Sequence, residues 1–435
     1  MRGEVYRCKQ SGFALVITLA LLSLLVLTVF ALSALTRINS RIAVISWQQT
    51  QARQNALLGL NVALGELQKH AGADSRITAM AGITGVAAQS SNTTRHWCGV
   101  WNGSGDFVAW LASGAATTPD ATIQSELGRI ALVGTGSVGA SAANSEHVEV
   151  GMLAIRVVDS VTEQIRPEGD YAWWIGDEGA KISAYSPPAE LALVGVSPVL
   201  GSNPVISATA KLRAALTTYS AKLPRVISYE QLSLLPTPIL AALTPGVLQD
   251  CFHHTTLTAY RLMPQSSDVL RRTGVFNINT NSAVAWRGIL ETYNNTIPGP
   301  SLAASSMGPS PITSLPSRIA NNLAAAVAAG KAANGPFATV DSFANSALLS
   351  TALAASGSGV TPAQLIAGIG PLLTTRSDTF RIRGYGDVVD AVDQTKVQAT
   401  ACCEAMVQRI PETAPNGLGR KFIIVYFRWL GPDDI

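Results

Sequence analysis

The chain is 435 residues long, 47% apolar, 14% charged and 6% aromatic, and its 31 basic and 28 acidic side chains leave a formal net charge of +3. So low a charge density excludes the basic patch that nucleic-acid binding needs, and five cysteines spread over this length define no disulfide framework. The length accommodates two or three domains.

Residues 1–12, MRGEVYRCKQSG, form a short leader with Arg2, Arg7 and Lys9 against Glu4. Residues 13–36, FALVITLALLSLLVLTVFALSALT, contain no charge, glycine or proline. At ~1.5 Å per residue this run reaches about 36 Å, enough for a bilayer core of ~30 Å. The basic leader predicts a single membrane pass with a cytoplasmic N-terminus and the remainder exported. An ordinary secretory signal has an apolar core of roughly 7–15 residues, shorter than this one, although Leu32-Ser33-Ala34 offers a weak cleavage site. The abrupt junction at Gly12 and Phe13 resembles that of prepilin leaders and marks these two residues as a processing site.

Helix continues beyond the apolar run. No proline occurs from Arg37 to His70, and Ile38, Ile42, Ile45, Ala52, Ala56, Leu60, Ala63, Leu64 and Leu67 recur at helical spacing. Gly72 follows Lys69 and His70 as a C-terminal cap. The pattern predicts one helix over 13–72, with its first half in lipid or a filament core and its second half packed on a soluble domain.

Residues 73–186 read as short strands. RHWCGVWN, DFVAWLASG, HVEVGMLAIRVVDS and DYAWWIGDEGAKIS each predict one, with Asp177 and Glu178 as surface carboxylates in a turn. Residues 187–375 differ, because seventeen of the 22 prolines fall between 187 and 371 and rule out continuous sheet. Ala- and Leu-rich stretches such as ATAKLRAALTTYSAKL and RIANNLAAAVAAGKAA predict an inserted, mainly helical domain. Strand patterns return over 376–435 in TFRIRGYGDVV, TKVQATACCEAMVQRI and KFIIVYFRWL, an antiparallel meander. Adjacent Cys402 and Cys403 would point to opposite faces of such a strand. The fold class is therefore α+β: a long N-terminal helix on a small antiparallel sheet, with a helical insertion.

Several segments resemble a known family. Phe276-Asn277-Ile278-Asn279-Thr280 with Ala285-Trp286, Pro336-Phe337-Ala338-Thr339-Val340-Asp341, and Ser377-Asp378-Thr379-Phe380 resemble segments of the K-type large minor pseudopilins of type II secretion and of PilX-like pilus proteins. The stretch ARQNALLGLNVALGELQKHAGADSRITA over 52–79, with the HWCGVW, WLASG and WWIGDEGAK pieces, is similar to the verrucomicrobial cassette protein A (Verru_Chthon) group of pilin-like proteins. The resemblance implies a pilin-like subunit of the inner membrane. It implies cleavage after Gly12 by a prepilin peptidase, methylation of the Phe13 amine, and an assembly platform and other major and minor pilins or pseudopilins as partners. Major pilins carry Glu at the fifth mature position, where this chain has Ile17. Without that carboxylate to meet a neighbour's N-terminal ammonium in an apolar core, the chain suits a tip or priming position.

Three motifs point instead toward ligand or metal chemistry. Gly134-Thr135-Gly136-Ser137-Val138-Gly139 matches a dinucleotide-binding fingerprint, but no apolar helix or acid-tipped second strand follows, so it reads as a Gly/Ser loop. His96-x-Cys98 and Cys251-x-His253-His254 are two zinc half-sites too far apart in sequence to predict a metal. Asp387, Asp390 and Asp393, three apart, are candidates for calcium, which some K-type pseudopilins bind, against a solvated acidic edge. No catalytic constellation is recognisable, so no enzyme activity and no cofactor beyond possible calcium are expected. The alternative to a minor pilin is a stationary, membrane-anchored envelope domain that binds a surface partner.

Overall fold

The computed structural model describes residues 11–83, 93–158, 165–183, 243–257, 276–292, 335–390 and 396–435, with a few short pieces between them. Residues 1–10 of the predicted leader, and most of the helical stretches over 208–223 and 318–333, lie outside the described residues.

Helix α1 is continuous from Ser11–Ala71, 61 residues, or about 90 Å at ~1.5 Å rise per residue. Lys69 and His70 occupy its last turn, and the Gly72 N–H closes it on the Gln68 carbonyl at 3.2 Å. Everything described from Phe13 to Ile45 faces outward. From Ala52 onward the helix packs, and Ala52, Ala56, Leu60, Ala63 and Leu67 are buried.

The helix lies on a five-stranded antiparallel sheet. Its strands are β6 (Leu153–Val158), β7 (Ile165–Asp177), β12 (Thr379–Val389), β13 (Val397–Thr413) and β14 (Arg420–Leu430), in the order β14-β13-β12-β7-β6. The strands after the insertion form the expected meander, and β12 then pairs with β7, from Phe380 opposite Asp177 to Gly386 opposite Tyr171. The insertion therefore leaves and re-enters between two neighbouring strands.

The predicted packing of Ile38, Ile42 and Ile45 does not occur; all three are exposed. The reason is length. The eleven residues of β12 span about 36 Å at ~3.3 Å each, which covers roughly 24 helical residues at ~1.5 Å. Counted back from Ala71, that support ends near Gln48.

Alternation sets the two sheet faces. Phe380, Ile382, Cys403, Ala405 and Val407 join α1 in one core, while Tyr385 and Cys402 point into another with Trp97, Trp101, Trp110 and Trp174. Cys402 and Cys403 thus lie on opposite faces as predicted, and the four described cysteines are buried thiols. The tryptophan-rich core is closed by β1 (Ile77–Met80), β2 (Cys98–Trp101) and β3 (Phe107–Trp110), one antiparallel sheet, and by the hairpin of β4 (Arg129–Val133) and β5 (Val148–Gly151).

Two local expectations are corrected. HVEVGMLAIRVVDS is two strands, β5 and β6, in different sheets, with Met152 between them and its carbonyl held by the Ser125 hydroxyl at 2.6 Å. The Gly134–Gly139 stretch contains a helical turn, α2 (Thr135–Val138). Gly136 is required there because an added Cβ would sit 2.1 Å from the Asp433 carbonyl oxygen.

A third core belongs to the insertion. It joins α4 (Ala283–Thr292), α5 (Val340–Ala344), α6 (Ala347–Ser356) and α7 (Pro362–Ile369) through Trp286, Leu290, Phe343, Leu353, Leu365 and Ile369. Thr339 and Ser342 form a capping box on α5, and Thr361 and Gln364 form another on α7. The parallel pair β10 (Phe276–Asn277) and β11 (Leu373–Thr374) joins the two ends of this unit. A shorter helix, α3 (Pro245–Cys251), leads into β9 (Thr255–Thr256), which pairs with β8 (Ile182–Ser183).

Candidate functional site

Three features carry chemistry or assembly potential. The first is the free half of α1. Gly12 lies within the first helical turn, Phe13 is 75% exposed and Ile17 is 42% exposed. Among the described residues α1 is the one helix long and apolar enough to cross a membrane. Every described side chain of α1 before Gln48 is exposed.

The second is a buried polar junction. The motif segments that resemble the pseudopilin insertion meet here. Asn277 Nδ2 reaches the Thr78 carbonyl at 2.9 Å, the Thr78 hydroxyl at 2.9 Å, the Asp177 carboxylate at 3.1 Å and the Ser377 hydroxyl at 3.1 Å. Asn279 donates to the Phe337 carbonyl at 3.0 Å and accepts from the Phe337 N–H at 2.8 Å. The three segments are thus one clamp between the sheet and the insertion. Burial pushes Asp177 up to about 6, against the lowering effect of its Ser377, Ala180, Asn277 and Thr78 contacts.

Asp177 and Glu178 are not surface carboxylates; both are buried. Glu178 meets Lys181 at 2.5 Å and Arg381 at 3.1 Å. Burial would raise its pKa, but those two cations outweigh it and hold it below the usual range. The same face carries Glu404, which meets Arg383 at 2.8 Å and Arg428 at 3.0 Å. Burial also pulls Lys181 down to about 8. Arg381 and Arg383 cover the Phe252 ring, 4.5 and 4.8 Å from its centroid, and so seat the turn after α3. Both carboxylates are buried because the insertion covers this sheet face, a contact that the sequence alone does not reveal.

The calcium candidates do not share one environment. Asp387 is buried, accepting the Asp170 N–H at 2.6 Å and the Tyr385 hydroxyl at 3.0 Å. Asp390, just after β12, accepts from the Asp393 N–H at 3.1 Å and from the Gln398 side chain of β13 at 2.7 Å. Asp387 is thus turned into the protein rather than toward an exposed loop.

The third feature is a histidine pocket. His96 precedes β2, Glu146 precedes β5 and His253 follows α3. The His96 and His253 rings stack at 3.7 Å with planes 8° apart. His96 Nε2 lies 3.2 Å from Glu146 Oε2 without an aligned hydrogen bond, and His96 Nδ1 has no hydrogen-bond partner. His253 Nε2 is 2.7 Å from the Glu146 carbonyl. Burial, together with the neighbouring His96 ring, pushes His253 well below its ordinary value and leaves it neutral. Glu146 is pulled down to about 2, because the His96 ring overrides its burial. One donor atom from each of the three side chains lies within 4.8 Å of the others. The two histidines come from the two half-sites of the sequence, while Cys98 is directed into the helix–sheet core and is not among the three clustered donors. Glu146 had no signal of its own, since an acid between two loops is unremarkable until the fold brings it to the rings.

No family matches this chain, and no curated protein matches it. Among solved structures it is similar to a chain of the GspK-GspI-GspJ complex from the enterotoxigenic Escherichia coli type 2 secretion system, at 11% identity and a TM-score of 0.30, covering 61% of this chain and 81% of that one. Likeness of that degree bears on neither mechanism nor partners.

Proposed function

We propose that this chain is a minor pilin- or pseudopilin-like structural subunit of a type IV pilus or type II secretion-like machine, acting by assembly rather than catalysis. One observation carries the proposal: α1 is a single helix that is apolar, uncharged and exposed over residues 13–36 and is built into the sheet from Ala52 onward. Such a helix anchors a domain in a membrane before assembly and can enter a helical bundle afterwards. The cost of exposing that surface to water, roughly 25 cal/mol per Å², requires lipid or neighbouring helices around it.

In this reading residues 1–12 are a leader removed after Gly12 by a prepilin peptidase. The Phe13 amine becomes the mature terminus, and the body is held on the far side of the inner membrane. Ile17 leaves no carboxylate for a neighbour's ammonium, which favours a tip or priming position among partner pilins. Residues 187–375 form the insertion, and 376–435 complete the sheet.

The test is the N-terminal residue and intact mass of the protein from its native membrane. A mature chain beginning at N-methylated Phe13 supports the proposal. An intact Met1 start overturns it in favour of a stationary anchor, and a start near Leu35 would mean a secreted domain.

A further inference from the structure

His96 is 5% exposed, and its Nδ1 has no hydrogen-bond partner. Buried polar atoms are nearly always partnered, so a ring left this way beside a second imidazole and a carboxylate suggests a missing ligand. From the geometry of these three side chains we infer that His96, Glu146 and His253 bind one zinc ion, which staples residues 243–257 to the β4–β5 hairpin.

The donor set narrows the metal. Two imidazoles and a carboxylate suit zinc or iron(II), whereas calcium and magnesium take oxygen ligands; zinc, which needs one further ligand where iron(II) needs three, suits so buried a site better. The outer contacts are also those of a metal site. A carbonyl only accepts, so His253 donates its Nε2–H to the Glu146 carbonyl at 2.7 Å. That fixes the tautomer and leaves the Nδ1 lone pair for the ion, the usual arrangement for a metal-bound histidine. The rings stack in parallel at 3.7 Å, which keeps their in-plane lone pairs parallel, so binding requires the stack to open until one nitrogen of each ring faces a common point. Donors on one tetrahedral zinc, with bonds of ~2.0–2.2 Å, stand about 3.3–3.6 Å apart. The present spread of up to 4.8 Å therefore closes by rotation of the side chains when the ion binds. Glu146 is the least buried of the three, at 26% side-chain exposure, so the ion enters from its side and a water takes the fourth position.

The consequence is structural. His96 and Glu146 belong to the tryptophan-rich core, and His253 belongs to the insertion. The turn bearing His253 is otherwise held by Lys181 donating to the Phe252 carbonyl at 2.9 Å and Gln249 donating to the Gly136 carbonyl at 3.0 Å. An ion joining segments 107 residues apart in sequence closes a long loop at one point.

The experiment uses tag-free full-length protein in detergent, stripped of metal and titrated with zinc chloride, with cobalt(II) as a spectroscopic stand-in. We expect about one zinc per chain and the intense visible bands of four-coordinate cobalt. His96→Ala and His253→Gln should each weaken binding roughly tenfold or more, since even the loss of an outer-sphere partner costs that much. His70→Ala, whose ring pairs with Glu66 on α1, should not change it. Less than stoichiometric zinc in the unmodified chain, or equal binding in His96→Ala and His70→Ala, overturns the site. X-ray absorption on the unmodified protein needs no variant. Imidazole nitrogen around zinc supports the assignment, and a sulfur-dominated shell overturns it. None of these readouts depends on leader processing or filament assembly.

Discussion

Asp177 lies at the crossing of β7, β12 and the Asn277 turn, fully enclosed, and its carboxyl is pushed up to about 6 by burial. The folded chain therefore keeps a proton that the unfolded chain releases at the ordinary value of 3.8. The carboxyl's contribution to stability is greatest below that lower value and falls as the pH rises toward 6. Asp170 shifts the same way, to about 6, through burial and its neighbour Asp387. Over the same window the buried neutral His253 acts in the opposite sense, so the test is the difference between the unmodified protein and Asp177→Asn in urea midpoints followed by tryptophan fluorescence between about pH 4 and pH 6. The midpoint of the unmodified protein should fall relative to that of Asp177→Asn as the pH rises, whatever the substitution costs at a single pH. Equal slopes in the two proteins would show that Asp177 titrates alike in the folded and unfolded chain. The same scale explains a misreading. Asp-Glu-Gly between two polar stretches looks like a solvated turn, and only the covering insertion turns Glu178 toward Lys181 and Arg381.

At the scale of elements, the contact between α1 and the sheet depends on the absence of side chains. A Cβ added to Gly386 would lie 2.2 Å from the Ala56 nitrogen, and one on Gly384 would lie 2.7 Å from the Ala56 carbonyl oxygen. Ala52, Ala56 and Ala63 keep the helix side of this seam equally small. Gly386→Val should destabilise the fold by about 3 kcal/mol or more, beyond ordinary overpacking because backbone cannot yield. Gly65→Ala, where the added methyl meets nothing within 4 Å, should instead stabilise it by roughly 0.5–1 kcal/mol. Denaturant unfolding of the two variants decides the matter, and equal effects would mean that the helix does not seat where described. The helical periodicity over 52–67 and the Gly72 cap were legible because they are local. That Gly384 and Gly386 lie beneath this helix was not, since the pairing spans most of the chain.

At the scale of the whole molecule, the free and seated halves of α1 separate anchoring from folding. Among the described residues, removal of 1–44 takes away only helix whose side chains are exposed. We expect the remainder to be soluble, with an unfolding midpoint matching the full chain in detergent. Removal through Ala63 deletes the buried Ala52, Ala56, Leu60 and Ala63 and should abolish cooperative unfolding. If the shorter deletion already unfolds the domain, the division of the helix is wrong.

The sequence by itself determined the membrane-length apolar run, the α1 C-terminus, the final meander and the opposed directions of Cys402 and Cys403. Each depends on a repeat of 3.6 or 2 residues, or on a local cap, which a short window contains in full. The tertiary structure alone decided where α1 leaves the sheet, because strand length sets that point. It alone split HVEVGMLAIRVVDS between two sheets, and it alone made Asn277, Asp177 and Ser377 one clamp. It also brought His96 and His253 face to face with Glu146 between β2, β5 and α3. Their partners are remote in sequence, and proximity of that kind is a property of the folded chain alone.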